Sequence, residues 1–174
     1  MSVRWAGKAE SGVDHGDKGP KLPREGAEMS EHRAMIHWHR NGTEFEHKQY
    51  TRDHWWHFDG GSQVAASAAP QFFGNEALVD PERAFVAALS SCHMLTFLAL
   101  AARDGFVVDE YRDEAVGFME RNTHKRIAIT RVVLRPTITW GGAAPPSETL
   151  SALHDKAHQH CFIANSVTTQ IIVE

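Results

Sequence analysis

The chain is poor in cysteine and has no large excess of one charge. Two of its 174 residues are cysteine, and the formal net charge is -4. The low cysteine count excludes a disulfide-rich scaffold, and the mild acidity favours neither nucleic acid nor a membrane as a partner. The sequence has no P-loop, Rossmann glycine run, Gly-x-Ser-x-Gly elbow or zinc-finger spacing. Nucleotide, hydrolase and DNA-binding functions are therefore disfavoured, and no cofactor is expected.

The length predicts one domain with a tail. Residues 1–28 mix glycine, proline and charge without an apolar period, so we expect a disordered or loosely attached extension before a domain at 29–174. The composition, 42% hydrophobic and 23% charged, is typical of a soluble protein. No signal peptide pattern is present, so we expect a cytoplasmic, reducing location.

A long uncharged segment predicts a central helix. Asp80 is a good N-cap, Gly105 a natural stop, and Ala84–Ala102 carries no formal charge over 19 residues. That length would suffice for a membrane span, but Ser90 and Thr96 lie near its middle and the mean hydropathy of the chain is -0.39. The pattern favours a core helix of a soluble protein.

The other segments complete an α+β pattern. Alternation of apolar residues predicts strands at about 33–40, 50–58, 111–120, 127–140 and 167–173, and a 3.6-residue period predicts a second helix at about 147–161. Residues 62–79 are predicted to be a loop that could line a cleft. The order is β-β-α-β-β-α-β. Within the second strand, Arg52 shares a face with large aromatic residues, so we expect it to have a partner.

The two cysteines lie on the apolar faces of the two predicted helices. Cys92 is inside the first helix and Cys161 ends the second, 69 residues later. Free cysteine is among the most buried residue types, so both could be inert packing residues. Two thiols that meet inside one core could also form a redox pair.

An ordered set of short motifs carries a family resemblance. Asp80-Pro-Glu opens the first helix, Ser90-Ser-Cys92 lies within it, and Ala157-His-Gln-His-Cys161 is followed by Asn165-Ser166. Over roughly residues 31–174 this set resembles the OsmC/Ohr family of thiol-dependent peroxidases, in the variety with a Ser-Cys-His sequence. The resemblance implies an OsmC-like fold, an intertwined homodimer whose long central helices pack against β-sheets.

The same resemblance implies the reduction of hydroperoxides, organic ones especially. Cys92 would be the peroxidatic residue and Cys161 the resolving one, with an external dithiol, of lipoyl type or a small thiol, as reductant. Arg52 and Glu82 match the family's cation and the carboxylate that holds it. A thiolate in apolar surroundings does need a cation nearby, and Arg52 is always charged.

Helix geometry adds an argument for the dimer. Glu82 lies ten residues before Cys92, about 15 Å along one helix, so it cannot reach the thiol of its own chain. A partner subunit would have to bring these groups together. The organic part of the peroxide would pack on aromatic residues, for which the candidates are Trp55, Trp56, Phe72 and Phe73.

Two alternatives remain open at this point. The chain has 12 histidines, and His154, His158 and His160 have a spacing that could bind a transition metal. The protein could also be a non-enzymatic module that holds an apolar ligand in an interface cleft. A buried Arg52 paired with a carboxylate would argue against that module, because an apolar ligand has no need of a cation.

Overall fold

Residues 30–174, the part of the chain that the computed structural model describes, contain eight strands and two α-helices. Three strands precede the first helix, four lie between the helices, and one follows the second helix. The strands are β1 Ala34–Trp38, β2 His54–Phe58, β3 Gln63–Ala66, β4 Val108–Asp113, β5 Val116–Arg121, β6 Ile127–Leu134, β7 Pro136–Trp140 and β8 Gln170–Val173. The helices are α1 Pro81–Arg103 and α2 Ser147–His160. The α+β class is confirmed, whereas the predicted extension at 1–28 lies outside the described residues.

The strands form three small sheets. Their orders are β1-β2-β3, β4-β7 and β5-β6-β8. All neighbours are antiparallel except β6 and β8, which pair in parallel with Arg131 opposite Gln170. A parallel pair needs a long connection, and here that connection contains β7 and α2.

Two strands that the sequence predicts as continuous are each broken in two. The prediction at 111–120 is wrong because β4 ends at Asp113 and β5 begins at Val116 in a different sheet. The prediction at 127–140 fails in the same way at Arg135, just before Pro136. The proline cannot donate to a ladder, and the Arg135 backbone N–H donates instead to the Asp113 carboxylate at 2.6 Å. The alternation of apolar residues in the sequence does not show that the chain leaves one sheet and enters another.

The segment at 62–79, predicted to be a loop, contains β3 and a short 3₁₀ turn at Pro70–Phe72. β3 pairs antiparallel with β2, and Val64 lies opposite Trp56. The small residues of β3 give little apolar alternation, so the sequence does not mark it as a strand. Its extended conformation is set by pairing with β2, which is rich in aromatic residues. This segment therefore joins the N-terminal sheet.

The first helix begins and ends where the sequence predicts. The Asp80 carboxylate accepts from the Arg83 backbone N–H at 2.7 Å, which caps the N-terminus. Gly105 has a φ of +83°, a left-handed value that stops the helix at low cost. α1 buries Leu89 and Phe97 against the other elements.

The core has two centres along α1. Phe97 packs with Leu153 and Ala157 of α2, while Leu89 packs with Val132 and Leu134 of β6. Burying a leucine or phenylalanine side chain contributes roughly 1.5–3 kcal/mol. Because both halves of α1 take part in these clusters, α1 packs against α2 and against the β4-β7 and β5-β6-β8 sheets.

One face of α1 is left uncovered by the chain itself. Leu95 is 61% exposed, and Ala88, Ser91 and Ala99 lie exposed along the same side. Within residues 30–174, α1 is the one helix long and apolar enough to cross a membrane, a test that the core helix of a soluble protein also passes. The expected burial of the helix on all sides is therefore not achieved within a single chain.

Candidate active site

The fold brings the two cysteines together. Cys92 is half-buried on α1, and Cys161, 1% exposed, caps the C-terminal end of α2. Burial, together with a hydrogen bond to the Cys92 thiol, raises the pKa of the Cys161 thiol to about 11. Cys161 is therefore a protonated thiol at neutral pH, in contact with a more accessible partner.

An apolar groove of about 560 Å³ leads to Cys92. Leu95 and Ala99 of α1 form one wall, and Phe162 and Ile163 form the other. Phe162 is 64% exposed, so the groove is open to solvent. A small apolar molecule could approach the Cys92 sulfur along it.

Arg52 and Glu82 line a different cavity, of about 400 Å³. The Arg52 guanidinium donates to the carbonyls of His47 and Tyr50, and its central carbon lies 3.8 Å from the centroid of the Tyr50 ring. The Glu82 carboxylate has a buried oxygen, Oε2, without a hydrogen-bond partner. No ion pair joins these two side chains in the described chain, and Cys92 does not line their cavity.

The four aromatic candidates for substrate binding lie away from the Cys92 groove of their own chain. Phe72 lines the Arg52 cavity, and the Phe73 ring centroid lies 5.3 Å from the Arg52 guanidinium. Trp56 is half-buried and donates to His54, whereas Trp55 is exposed. Within one chain Phe72 and Phe73 lie near the cation, and none of the four rings lines the groove at Cys92.

A polar contact that the sequence did not suggest connects α1 to the sheets. The Ser90 hydroxyl donates to the Asp113 carboxylate at 2.5 Å, and the other carboxylate oxygen accepts from the Arg135 backbone. Burial, and secondarily Asp113, raises the pKa of Tyr111, whose hydroxyl is buried without a partner. The signal in the sequence was a serine pair inside an apolar helix.

A second polar contact is the pair of His93 and His154. His93 is 1% exposed, and its Nε2 lies 3.1 Å from Nδ1 of His154, so that one nitrogen donates to the other. Burial lowers the pKa of His93 to about 4, helped by His154 and His158 and opposed by Asp113. Burial also lowers the pKa of His154. Both imidazoles are therefore neutral at neutral pH.

The histidine metal site considered from the sequence is not assembled in the described chain. No group of three or more His, Cys, Asp or Glu side chains is arranged to hold a metal ion among residues 30–174. His154 is hydrogen-bonded to His93, and His158 is exposed. The spacing of the histidines along α2 indicated that they share a helix face. It could not show that His93 of α1 contacts His154 on that face.

Comparison with known proteins identifies the family. The family model of OsmC-like proteins matches residues 74–174, and the chain belongs to this family. An OsmC-like protein of unknown function from Vibrio cholerae is 47% identical, with a TM-score of 0.80 over 84% of this chain and 99% of that one. A search of curated proteins found no significant match.

More distant solved structures share the fold. An organic hydroperoxide resistance protein from Legionella pneumophila, 17% identical, covers 84% of this chain and 96% of its own with a TM-score of 0.62. The organic hydroperoxide resistance protein OhrB of Bacillus subtilis, 13% identical, covers 83% of this chain and 97% of its own with a TM-score of 0.58. These comparisons confirm the OsmC-like fold of the chain, while the intertwined homodimer stays a prediction.

Proposed function

We propose that this protein is a thiol-dependent peroxidase that reduces organic hydroperoxides through Cys92 and Cys161. The observation that carries the proposal is the contact of the buried Cys161 thiol with the half-buried Cys92 thiol, which lines an open apolar groove. Membership of the OsmC-like family, together with the names of the two hydroperoxide resistance proteins of the same fold, supports it.

The proposed cycle begins at Cys92. Its thiolate attacks the outer peroxide oxygen, the O–O bond breaks, and the leaving alkoxide takes a proton to become an alcohol. Cys92 is then a sulfenic acid. The Cys161 sulfur displaces the sulfenic hydroxyl, which leaves as water with the Cys161 proton, and a disulfide forms. An external dithiol of lipoyl type, or a small thiol, returns both cysteines to the reduced state by exchange.

The environments of the two thiols support this division of roles. A thiolate is the attacking species, and Cys161 is held as a thiol because burial raises its pKa to about 11. Cys92 is the more accessible of the two and lines the groove. We therefore assign attack to Cys92 and resolution to Cys161.

We further propose that the active unit is a homodimer. The uncovered face of α1, whose Leu95 and Ala99 also line the Cys92 groove, gives a second chain an apolar surface to cover, so the peroxide site would lie between the two chains. Arg52 and Glu82 lie in a cavity that does not contain the thiol of the same chain. In a dimer, Arg52 of one chain would approach Cys92 of the other. The unpartnered Glu82 oxygen would then be free to orient that guanidinium.

The dimer is tested by measuring mass in solution. Light scattering at micromolar concentration should give about twice the 19.4 kDa of one chain. Leu95→Glu puts a charge on the uncovered α1 face and should shift the protein to monomer, since burying an unpaired charge is costly. The control is Val107→Glu, which changes an apolar residue of similar exposure, 57%, beyond the end of α1. A wild-type mass of one chain would contradict the proposal.

The role of Arg52 is tested through the reactivity of Cys92. Arg52→Ala should slow attack on hydroperoxide by more than about tenfold, and Arg52→Lys should restore it in part, because an ammonium lacks the planar fork of guanidinium. Glu82→Gln should act in the same direction but more weakly. The measurement is the Cys92 alkylation rate against pH together with single-turnover peroxide kinetics.

The control for Arg52 is Arg112→Ala, which removes a guanidinium from an exposed pair with Glu114. Surface pairs contribute little, so this variant should behave as wild type. Equal rates in Arg52→Ala and Arg112→Ala would exclude an activating role for Arg52.

A further inference from the structure

A buried imidazole pair crosses from α1 to α2. The His93 and His154 rings are parallel to within 4°, with centroids 5.4 Å apart, and the Phe97 ring stacks on His154 at 4.4 Å. The apolar side chains of Leu153 and Ala157 complete this part of the core. The pair is thus a buried hydrogen bond among apolar side chains at the contact between the two helices, with the titratable groups of Asp113 and His158 also acting on it.

The pair lies close to both thiols along the chain. His93 follows Cys92 on α1, and His154 precedes Cys161 by seven residues, about two turns of α2. Two neighbouring residues of α1 therefore contact residues two turns apart on α2. Any shift of one helix along the other would change both contacts.

A buried hydrogen bond constrains the relative position of two helices more strictly than apolar contacts do. Apolar side chains pack in several arrangements with similar energies, whereas a shifted helix would leave Nε2 of His93 and Nδ1 of His154 unsatisfied. Nδ1 of His93 is buried without a hydrogen-bond partner in the described chain, so the bond through Nε2 is what fixes this ring. Replacing a buried polar pair by apolar residues of similar volume often costs little stability. The specific effect of such a pair is on the relative placement of the elements that carry it.

We infer that His93 and His154 are positioning residues, which hold α1 and α2 in the register that lets Cys92 and Cys161 form a disulfide. Neither histidine takes part in bond making. The inference deepens the proposed function, because the disulfide is its second step. It concerns the geometry of the two thiols and not the attack on peroxide.

The test is an equilibrium of the full chain with reduced and oxidised glutathione. In this exchange the protein dithiol and one glutathione disulfide give the protein disulfide and two glutathione thiols. The measured constant is the effective concentration of Cys161 at Cys92, and no peroxide is involved. Loss of register should lower this concentration, since effective concentration depends steeply on geometry.

Five variants separate positioning from packing. His93→Leu and His154→Leu should each lower the effective concentration by about tenfold or more. His93→Gln places an amide nitrogen near the former Nε2, and His154→Asn places a polar atom near the former Nδ1, so both should stay within about twofold of wild type. His124→Leu is the control, an exposed histidine on the β5–β6 turn away from the pair, and should have no effect.

The double variant His93→Leu/His154→Leu covers the case in which a single leucine variant does not fold. It leaves no unsatisfied nitrogen, so it should keep a cooperative thermal transition and still show the reduced effective concentration. A folded double variant with the wild-type value would overturn the inference. A wild-type protein that forms the disulfide normally but does not consume hydroperoxide would contradict the proposed function alone.

Discussion

Replacing Cys92 with serine should reduce hydroperoxide consumption to background, whereas replacing Cys161 with serine should leave one turnover per chain. A serine hydroxyl at position 92 is not ionised at neutral pH and cannot take the place of a thiolate. With Cys161 absent, the sulfenic acid still forms but has no resolving thiol. The measurement is peroxide loss over time, with sulfenic acid trapped and detected by mass.

The difference expected between Cys92→Ser and Cys161→Ser decides which thiol attacks the peroxide and which one resolves the sulfenic acid. The control is Ser91→Ala, which changes a neighbour that lines the same groove without touching sulfur chemistry; it should retain continuous turnover. If both cysteine variants lost the single turnover equally, the assignment of attack to Cys92 would be wrong. If neither lost it, both thiols would be packing residues.

Acid should destabilise the fold over a defined interval because of His93. Its pKa is about 4 in the folded chain and about 6.5 when exposed. Between these values the unfolded chain binds a proton at His93 and the folded chain does not, so stability falls as pH falls from about 6.5 to about 4. The expected loss is about 3 kcal/mol, and His154, whose pKa is also lowered by burial, adds to it.

This loss is measured by urea unfolding at intervals between pH 7 and pH 4. The double variant His93→Leu/His154→Leu should flatten the curve across the interval, while His124→Gln, on the exposed β5–β6 turn, should leave it unchanged. Asp113 and His158 also face the pair electrostatically. A steep loss that persists in the double variant would assign the acid sensitivity to other groups.

Much of the fold follows from local rules in the sequence. α1 is specified by a capping aspartate, a first-turn proline and a terminal glycine, all of which act within a few residues. The breaks at Asp113 and Arg135 are different, because each depends on which sheet the chain joins next. That choice is made by pairing between distant segments, such as Asp113 with Pro136.

Part of the candidate site could likewise be predicted from local patterns in the sequence, and part of it could not. Periodicity places Cys92 and Cys161 on apolar faces, and their contact follows from helix packing. The sequence predicted that Arg52 lies among aromatic residues, and the Tyr50 ring lies beside it. Its hydrogen bonds to the carbonyls of His47 and Tyr50 could not be predicted, because no side-chain pattern marks a backbone acceptor. The His93 and His154 contact was also missed, since the residues lie 61 positions apart and no local pattern links them.

The parallel pairing of β6 with β8 determines how late the domain can be completed during folding. β5 and β6 form a local hairpin, but the free edge of β6 stays open until the chain has passed through β7 and α2 and returned as β8. Such long-range closure slows folding, and an open edge invites pairing with other chains. Cys161 ends α2, which lies within that connection, so the thiols meet only when α2 packs on α1. Oxidation before that point would join them without native guidance.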